Sequence, residues 1–403
     1  MNAPREAFAR DLLQTLGQQA DEFIAVRRDI HRHPEMGYKE HRTSDLVAGQ
    51  LESFGYAVTR GLGGTGVVGQ LRRGDGGQTL GLRADMDALP IEEATGLPYA
   101  SCNVGIMHAC GHDGHTAMLL AAAKHIATHV PFSGTLNLIF QPAEEGLGGA
   151  RKMMEDGLFR QFPCDAVFAM HNMPGHPQGH LVLREGPMMA SSDYVTITID
   201  GRGGHGAMPH QAADPVVAAS AIVLGLQSIV SRNVDPQETA VITVGAFHAG
   251  VANNVIPQSA TLHLSVRALN PPVRALLEQR ITELAQAQAQ SYGVRAKVDY
   301  QRGYPVLVNH RLETDFARDV AEELVGPDRV TRQGKALTGS EDFAFFLEQV
   351  PGCYLLIGNG DGEGGGHGAC MVHNPGYDFN DHNVAIGSAF WSLLVQRYLP
   401  VNG

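Results

Sequence analysis

Apolar and polar residues along the first half of the chain alternate between two periods. Residues 5–30 repeat apolar side chains at helical spacing, whereas TGVVGQL (65–71) and TLGLRAD (79–85) read as strands. A helix rich in alanine and leucine is predicted from His115 to about His129. GTLNLIFQP then reads as a strand bounded by glycine and proline, GLGGARKMMEDGLF as a helix, and CDAVFAMHN as a further strand. Strand, helix and strand in this rhythm imply βαβ units and a largely parallel sheet.

Near Gly186 the pattern changes. DYVTITID alternates apolar and polar side chains, as a half-exposed strand does. A helix opens at Asp214-Pro215, with Asp as cap and Pro in the first turn. TAVITVGAF and SATLHLSVRAL follow as strands, then a helix from about Pro272 to Ser291, then GVRAKVDY as a strand. The order β-α-β-β-α-β is that of a ferredoxin-like unit. After Tyr304 the α/β rhythm resumes, with helices over 310–324, 340–348 and 382–398 and a strand over 353–357. The chain therefore reads as an α/β domain built from 1–186 and 304–403, with a smaller α+β domain, 187–303, inserted in it. GNGDGEGGGHG (358–368) is a flexible glycine-rich loop.

Composition narrows the function. A chain of 403 residues exceeds one ordinary core. The net charge of −12 argues against nucleic acid or an anionic membrane as main partner. The longest uncharged stretch, Pro215 to Ser231, is expected to fall short of a bilayer span. The N-terminus, MNAPREAFARDLLQ, lacks the apolar centre of a signal peptide. Five cysteines, few and odd in number, fit a reducing cytoplasm better than a disulfide framework.

The chemistry concentrates in MHACGHDGHT (107–116). Cys110 and His112 stand two apart, and in a turning backbone both reach one centre. A thiolate and an imidazole suit Zn²⁺ or a similar borderline ion. QPAEEG (141–146) sets Glu144 and Glu145 side by side where a strand ends. His171 stands at the end of another predicted strand, and His373 lies in the Pro/Gly-rich turn of MVHNPGYDFND. Each alone is compatible with an ordinary loop, but ligand sites in open α/β sheets gather at the carboxyl ends of strands. GLGGTG (61–66) imitates a dinucleotide fingerprint, yet VVGQLRR after it reads as a strand rather than a helix, so it is expected to be a turn.

HACGHDGHT, QPAEEG, MHN and HNPGYDFND, together with HRHPEMGYKE (31–40), GLRADMDALP (81–90) and GGHGAMPH (203–210), closely resemble the M20 family of metal-dependent amidohydrolases, in its aminoacylase and hippurate-hydrolase branch. The resemblance spans nearly the whole chain. It implies a metallopeptidase domain with an inserted lid and dimerisation domain, in a homodimer or homotetramer. It further implies two divalent ions held by Cys110, His112, Glu145, His171 and His373, with the thiolate as bridge; Zn²⁺, Mn²⁺, Co²⁺ and Ni²⁺ all remain open. Glu144 falls on the family's general base and His205 on its oxyanion-stabilising histidine. Asn254 and Arg267 are candidates for gripping the substrate carboxylate, though Arg267 equally suits a structural ion pair. Asp85 occupies a position where the wider family has a metal-binding histidine, which leaves the orienting role of Asp87 open. His108 and His115 carry no assigned role beyond solvation or hydrogen bonding to a ligand, and Cys370 reads as a loop thiol.

The expected reaction is hydrolysis of N-acyl amino acids through a metal-activated water. A dipeptidase or diaminopimelate-type deacetylase on the same scaffold is the alternative, and a non-catalytic small-molecule-binding homologue is the alternative of another class. The latter is disfavoured because Glu144 and all five ligand positions are present.

Overall fold

The computed structural model describes residues 3–401, and side chains from Ala7 onward. Met1, Asn2, Asn402 and Gly403, which the expected outer domain includes, lie outside the described residues. The chain divides into two compact units. The first comprises Met1–Gly186, Val308–Lys335 and Phe345–Gly403; the second comprises Pro187–Leu307 and Ala336–Ala344. The second unit thus runs past the expected return at 304 and also takes in Ala336–Ala344. Backbone bonds explain the latter, since Ala190 N–H donates to both Leu337 O and Gly339 O.

The first unit is built on an eight-stranded sheet. Its order is Ala57–Leu62, Gly66–Arg73, Gly134–Gln141, Thr79–Asp85, Ala166–Pro174, Gly352–Gly360, Leu181–Val182 and Val330–Thr331. The four central strands, from Gly134–Gln141 to Gly352–Gly360, are mutually parallel. The sheet as a whole is mixed rather than largely parallel. Ala57–Leu62 and Gly66–Arg73 form a hairpin across the GLGGTG turn, and the second of these runs antiparallel to Gly134–Gln141. A turn of three residues, Gly63 to Thr65, can join only antiparallel neighbours. The glycines at 61, 63 and 64 have positive φ, so the expected turn is present and no helix follows it. The central strands bury both faces: Val167, Phe168, Leu355 and Ile357 are inaccessible, and helices Ala3–Arg32, His112–His129 and Asn383–Tyr398 pack together in the same core.

Two helical expectations change in detail. GLGGARKMMEDGLF splits into Gly149–Glu155 and Leu158–Gln161, because Gly157 takes φ 96°. Of 340–348 only Ala344–Leu347 is helical; the Glu341 carboxylate accepts from Phe343 N–H at 2.9 Å, a local turn that competes with the helix.

In the second unit a four-stranded antiparallel sheet has the order Ala240–Ala249, Ser259–Ala268, Asp193–Asp200, Arg295–Arg302. Helices Pro215–Asn233 and Pro271–Ser291 pack against it, which is the ferredoxin-like arrangement. Asp214 caps the first helix, its side chain accepting from Val216 N–H at 2.8 Å. At 19 residues that helix is long and apolar enough to cross a bilayer, contrary to the expectation for this stretch. Here its Ala218, Ile222, Leu226 and Ile229 line the core of the second unit.

Arg27 ties the two ends of the chain together in the first unit. It is fully buried, with Nε 2.8 Å from Asp113, Nη2 2.7 Å from Asp378 and Nη1 3.4 Å from Asp381. His31 adds a bond to the same Asp113 at 2.9 Å, and Tyr99 Oη donates to Asp378 at 2.9 Å. Removing one member of such a network strands the remaining charges in a dry place. Arg27→Met is therefore expected to lower stability in urea by about 3–5 kcal/mol. Arg28→Met, at the exposed neighbour that also meets Asp381, is expected to cost under about 1 kcal/mol.

Candidate metal centre

The four parallel strands all end at one edge, and the acidic residues expected of the site follow two of them. After Gln141 the chain turns sharply. Ala143 adopts φ 55°, Gly149 N–H bonds to Ala143 O at 3.0 Å, and a Cβ on Gly149 would overlap Pro142 O. Glu144 emerges buried and Glu145 partly exposed. After Thr79–Asp85, Asp87 reaches both Glu145 and His112: its Oδ2 accepts from Glu145 N–H at 2.9 Å and its Oδ1 lies 3.2 Å from His112 Nδ1. One carboxylate thus touches both an imidazole and the loop of a glutamate, which is the geometry that an orienting role requires.

His112 is the first residue of its helix, three residues earlier than expected, and Cys110 lies just before it. Gly111 between them has φ 89°, a conformation that favours glycine. A Cβ there would also collide with Asn172 Nδ2 and Tyr377 Oη. Those two groups hold the turn: Asn172 Nδ2 donates to Cys110 O at 2.6 Å, and Tyr377 Oη donates to Asn172 Oδ1 at 2.5 Å. His171, within the strand Ala166–Pro174, donates from Nδ1 to Asn172 O at 2.6 Å. That bond fixes the tautomer and turns the Nε2 lone pair toward Cys110, whose thiol donates to it at 3.3 Å. His373 has φ 67° and is tied by its N–H to Ala109 O at 2.7 Å, while its Nε2 lies 3.2 Å from Glu145 Oε1.

All five residues expected as ligands are therefore brought together. Among the groups of three whose donor atoms lie within 4.8 Å of one another are Cys110 with His112 and His171, and Cys110 with Glu145 and His373. These two share the thiol. Another joins Glu144 with His112 and Glu145, and another Asp85 with His112 and His115. Asp85 already meets Arg83 Nη1 at 2.8 Å and His115 Nδ1 at 2.6 Å. His115 in turn accepts from Asn172 N–H at 2.9 Å, so it steadies the strand end next to His171. His108 is buried rather than solvated, its ring nitrogens without a protein hydrogen bond, and burial pushes it down to about 4. Cys370 joins none of the donor groups among the described residues.

The electrostatics suit cations. Burial first, then Glu145, Glu144 and Asp85, push the Cys110 thiol well above its usual range. Burial disfavours charge on His112, yet Asp85, Asp87 and Glu145 push that ring up to about 10. Burial and the His115 ring hold His171 well below the usual imidazole range. The pocket is thus anionic enough to draw a proton onto one imidazole and to keep one on the thiol. His112 Nε2 is buried without a protein hydrogen bond, 3.9 Å from Glu145 Oε1, which itself lies 3.2 Å from His373 Nε2. Such an orphan costs about 1–3 kcal/mol. A pair of divalent ions would satisfy it and stabilise the thiolate, so the donor set fits the implied metals.

The remaining expected residues belong to the second unit. His205 lies on the short strand Gly204–His205, opposite Val255, and Asn254 accepts from Gly206 N–H at 2.8 Å through its main-chain oxygen. These two are neighbours. Arg267 stands on Ser259–Ala268 and donates from Nη1 to Ser340 Oγ at 2.8 Å. Sequence reading missed Arg27, Asn172 and Tyr377, although Tyr377 lies inside the quoted HNPGYDFND and Asn172 inside MHN.

A buried cluster of thiol, imidazole and carboxylate at the strand ends of an α/β sheet defines a metallohydrolase-type centre, and the comparisons with known proteins agree. The model of peptidase family M20/M25/M40 matches residues 81–397, and the chain belongs to that family. Over 378 residues it is 47% identical to hippurate hydrolase of Campylobacter jejuni, covering 94% of this chain and 97% of that one. It is 36% identical over 396 residues to N-acetyl-L-cysteine deacetylase of Bacillus subtilis, covering 97% and 90%. Among solved structures, a Bacillus subtilis protein described as a dinuclear metal binding peptidase of family M20 superposes with a TM-score of 0.82 at 32% identity, covering 94% and 98%.

The turn at Gly111 sets how the thiol and His112 face one another. Gly111→Ala is expected to weaken cation binding by about 10- to 100-fold, the scale seen when a metal site loses its supporting geometry. A titration of apo-protein with Zn²⁺ or Mn²⁺ checks it.

Proposed function

We propose that the protein is a dinuclear metal-dependent amidohydrolase that cleaves N-acyl amino acids, of the hippurate or N-acetyl type, into a carboxylic acid and a free amino acid. The observation that carries this reading is the pair of donor groups sharing Cys110, with Glu144 beside them. Relatives named for hippurate and for N-acetyl-L-cysteine support the substrate class.

Cys110, His112, Glu145, His171 and His373 would hold the two cations. When bound, the cations supply Lewis-acid polarisation of the substrate carbonyl and a water acidic enough to lose its proton near neutral pH. Glu144 is the base that takes that proton as the amide carbon is attacked, and it returns the proton to the leaving nitrogen. Glu145, with its oxygens committed to a cation, cannot do the same, so the adjacent carboxylates divide the work. Asp87 and Asn172 hold the ligands in register. His205 is read as the donor to the oxyanion, contributed from a second copy of the chain, and Asn254 beside it as a contact for the substrate carboxylate. Arg267 presents a bidentate fork suited to the same carboxylate, although its bond to Ser340 equally serves the fold.

A homodimer is supported by the second unit. Ala240–Ala249 is an edge strand, and Leu224, Phe247 and Val251 are exposed apolar residues on that unit. Five free cysteines and no disulfide among the described residues support a reducing, cytoplasmic setting.

Hippurate, N-acetyl amino acids and dipeptides assayed side by side, on protein reconstituted with each candidate metal, test the reading. Glu144→Gln is expected to lower kcat by about 10²- to 10⁴-fold on the best substrate, with cation content unchanged. Chelation is expected to abolish activity and metal addition to restore it. Full activity in chelator, or an unimpaired Gln variant, overturns the mechanism.

A further inference from the structure

Two sequence motifs, HRHPEMGYKE and GLGGTG, supply none of the expected ligands, yet both pack against the loop that carries Glu144. Gly37 is so close that a Cβ on it would meet Ala143 Cα at 3.1 Å, and Tyr38 Oη donates to Leu147 O at 3.1 Å. From the other motif, Cβ atoms on Gly63 and Gly66 would meet Pro142 at 3.4 and 3.1 Å. Between them stands Glu40, wholly inaccessible to solvent. Its Oε1 accepts from Ala143 N–H at 2.8 Å, and its Oε2 accepts from Thr65 Oγ1 at 2.6 Å.

This arrangement is expensive. Burial pushes Glu40 up to about 7 against its two hydrogen bonds, and the charge of Asp87 adds to the rise. No cationic side chain is among its hydrogen-bond partners. Two apolar side chains would fill such a place at lower cost. What the carboxylate does that they could not is to bind the amide of a residue in the left-handed region. Among the described residues Ala143 is one of three non-glycine residues with positive φ, and it immediately precedes Glu144. Such a conformation persists only where its surroundings over-determine it. Here the N–H is held by Glu40 and the carbonyl by Gly149 N–H.

We propose that Glu40, braced by Thr65, is a positioning residue for Glu144: by gripping the Ala143 amide it fixes the direction in which the Glu144 side chain leaves its loop. The inference rests on Glu144 being the base, as read above. It makes the glycine-rich turn part of the catalytic support, because Thr65 is held there and Pro142 seats against its glycines.

The experiment compares wild type, Glu40→Ala, Glu40→Gln and Thr65→Val as metal-loaded protein. It reads kcat and KM on hippurate, cation content, and hydrogen exchange of the Ala143 amide. Glu40→Ala is expected to lower kcat by about 10- to 100-fold, the scale of a small misplacement of a reacting group. KM should stay within about two-fold, since binding is not the target. Cation content should hold, and the Ala143 amide should exchange faster. Glu40→Gln keeps an oxygen for that amide, and its NH₂ can donate to Thr65, so it should restore most of kcat and the slow exchange. Thr65→Val should move the same readouts the same way but less, and it serves if the Ala variant does not fold. A folded, metal-loaded Glu40→Ala protein with wild-type kcat, a loss confined to KM or to cation content, or unchanged Ala143 exchange would each overturn the proposal. Failure of wild type to cleave hippurate or any other N-acyl amino acid would sink the functional reading instead, and Ala143 exchange would still decide whether the grip exists.

Discussion

Crowding of like charge is the constraint on which the rest depends. Asp85, Asp87, Glu144 and Glu145 converge on one thiol and a set of imidazoles, most of them out of reach of water. A polypeptide can gather such groups only if each has a counter-charge or a hydrogen bond. Arg83 neutralises Asp85 and His115 hydrogen-bonds to it, and backbone amide and imidazole bonds hold Asp87. The thiol with His171, His112 Nε2, and Glu145 with His373 are what remains after those pairings, and they are the groups a pair of cations would claim. The supporting bonds and the metal site are therefore one electrostatic arrangement, with a division between groups that are already satisfied and groups that are not.

That division also explains what could be read from the sequence. The candidate donors could be read because metal chemistry restricts residue type and because the motifs are local, Cys110 with His112 and Glu144 with Glu145, and the family resemblance joined them into one set. His171 and His373 were found because strand ends and Pro/Gly turns are recognisable as places. Groups that act by hydrogen bonding across the fold carry no such signature. Arg27 meets Asp378 from more than three hundred positions away, and nothing near Arg27 in the chain distinguishes it from exposed Arg28. Asn172 and Tyr377 lay inside quoted motifs, but only the collision with a Cβ at Gly111 shows what they do.

The fold was legible to a similar depth. Periodicity found the central parallel strands, whose buried runs are continuous, and the alternating strands of the second unit. The hairpin Ala57–Leu62 and Gly66–Arg73 made the sheet mixed, and its effect on strand direction follows from the shortness of a turn rather than from any hydrophobic pattern. The brief helix at Ala344–Leu347 was overestimated because Glu341 bonds its own backbone nearby, a local competition that composition does not register.

The clasp of Arg27 on Asp378 and Asp381 joins the first helix to a segment just before the last one. During synthesis the donors from the middle of the chain, Cys110 to His171, emerge long before His373 and the partners of Arg27. A nascent chain therefore holds an unfinished pocket until its final segment leaves the ribosome. On the reading proposed above, cation capture and completion of the first unit would fall together at the end of synthesis, because a chain halted early has no Asp378 or Asp381 to receive Arg27.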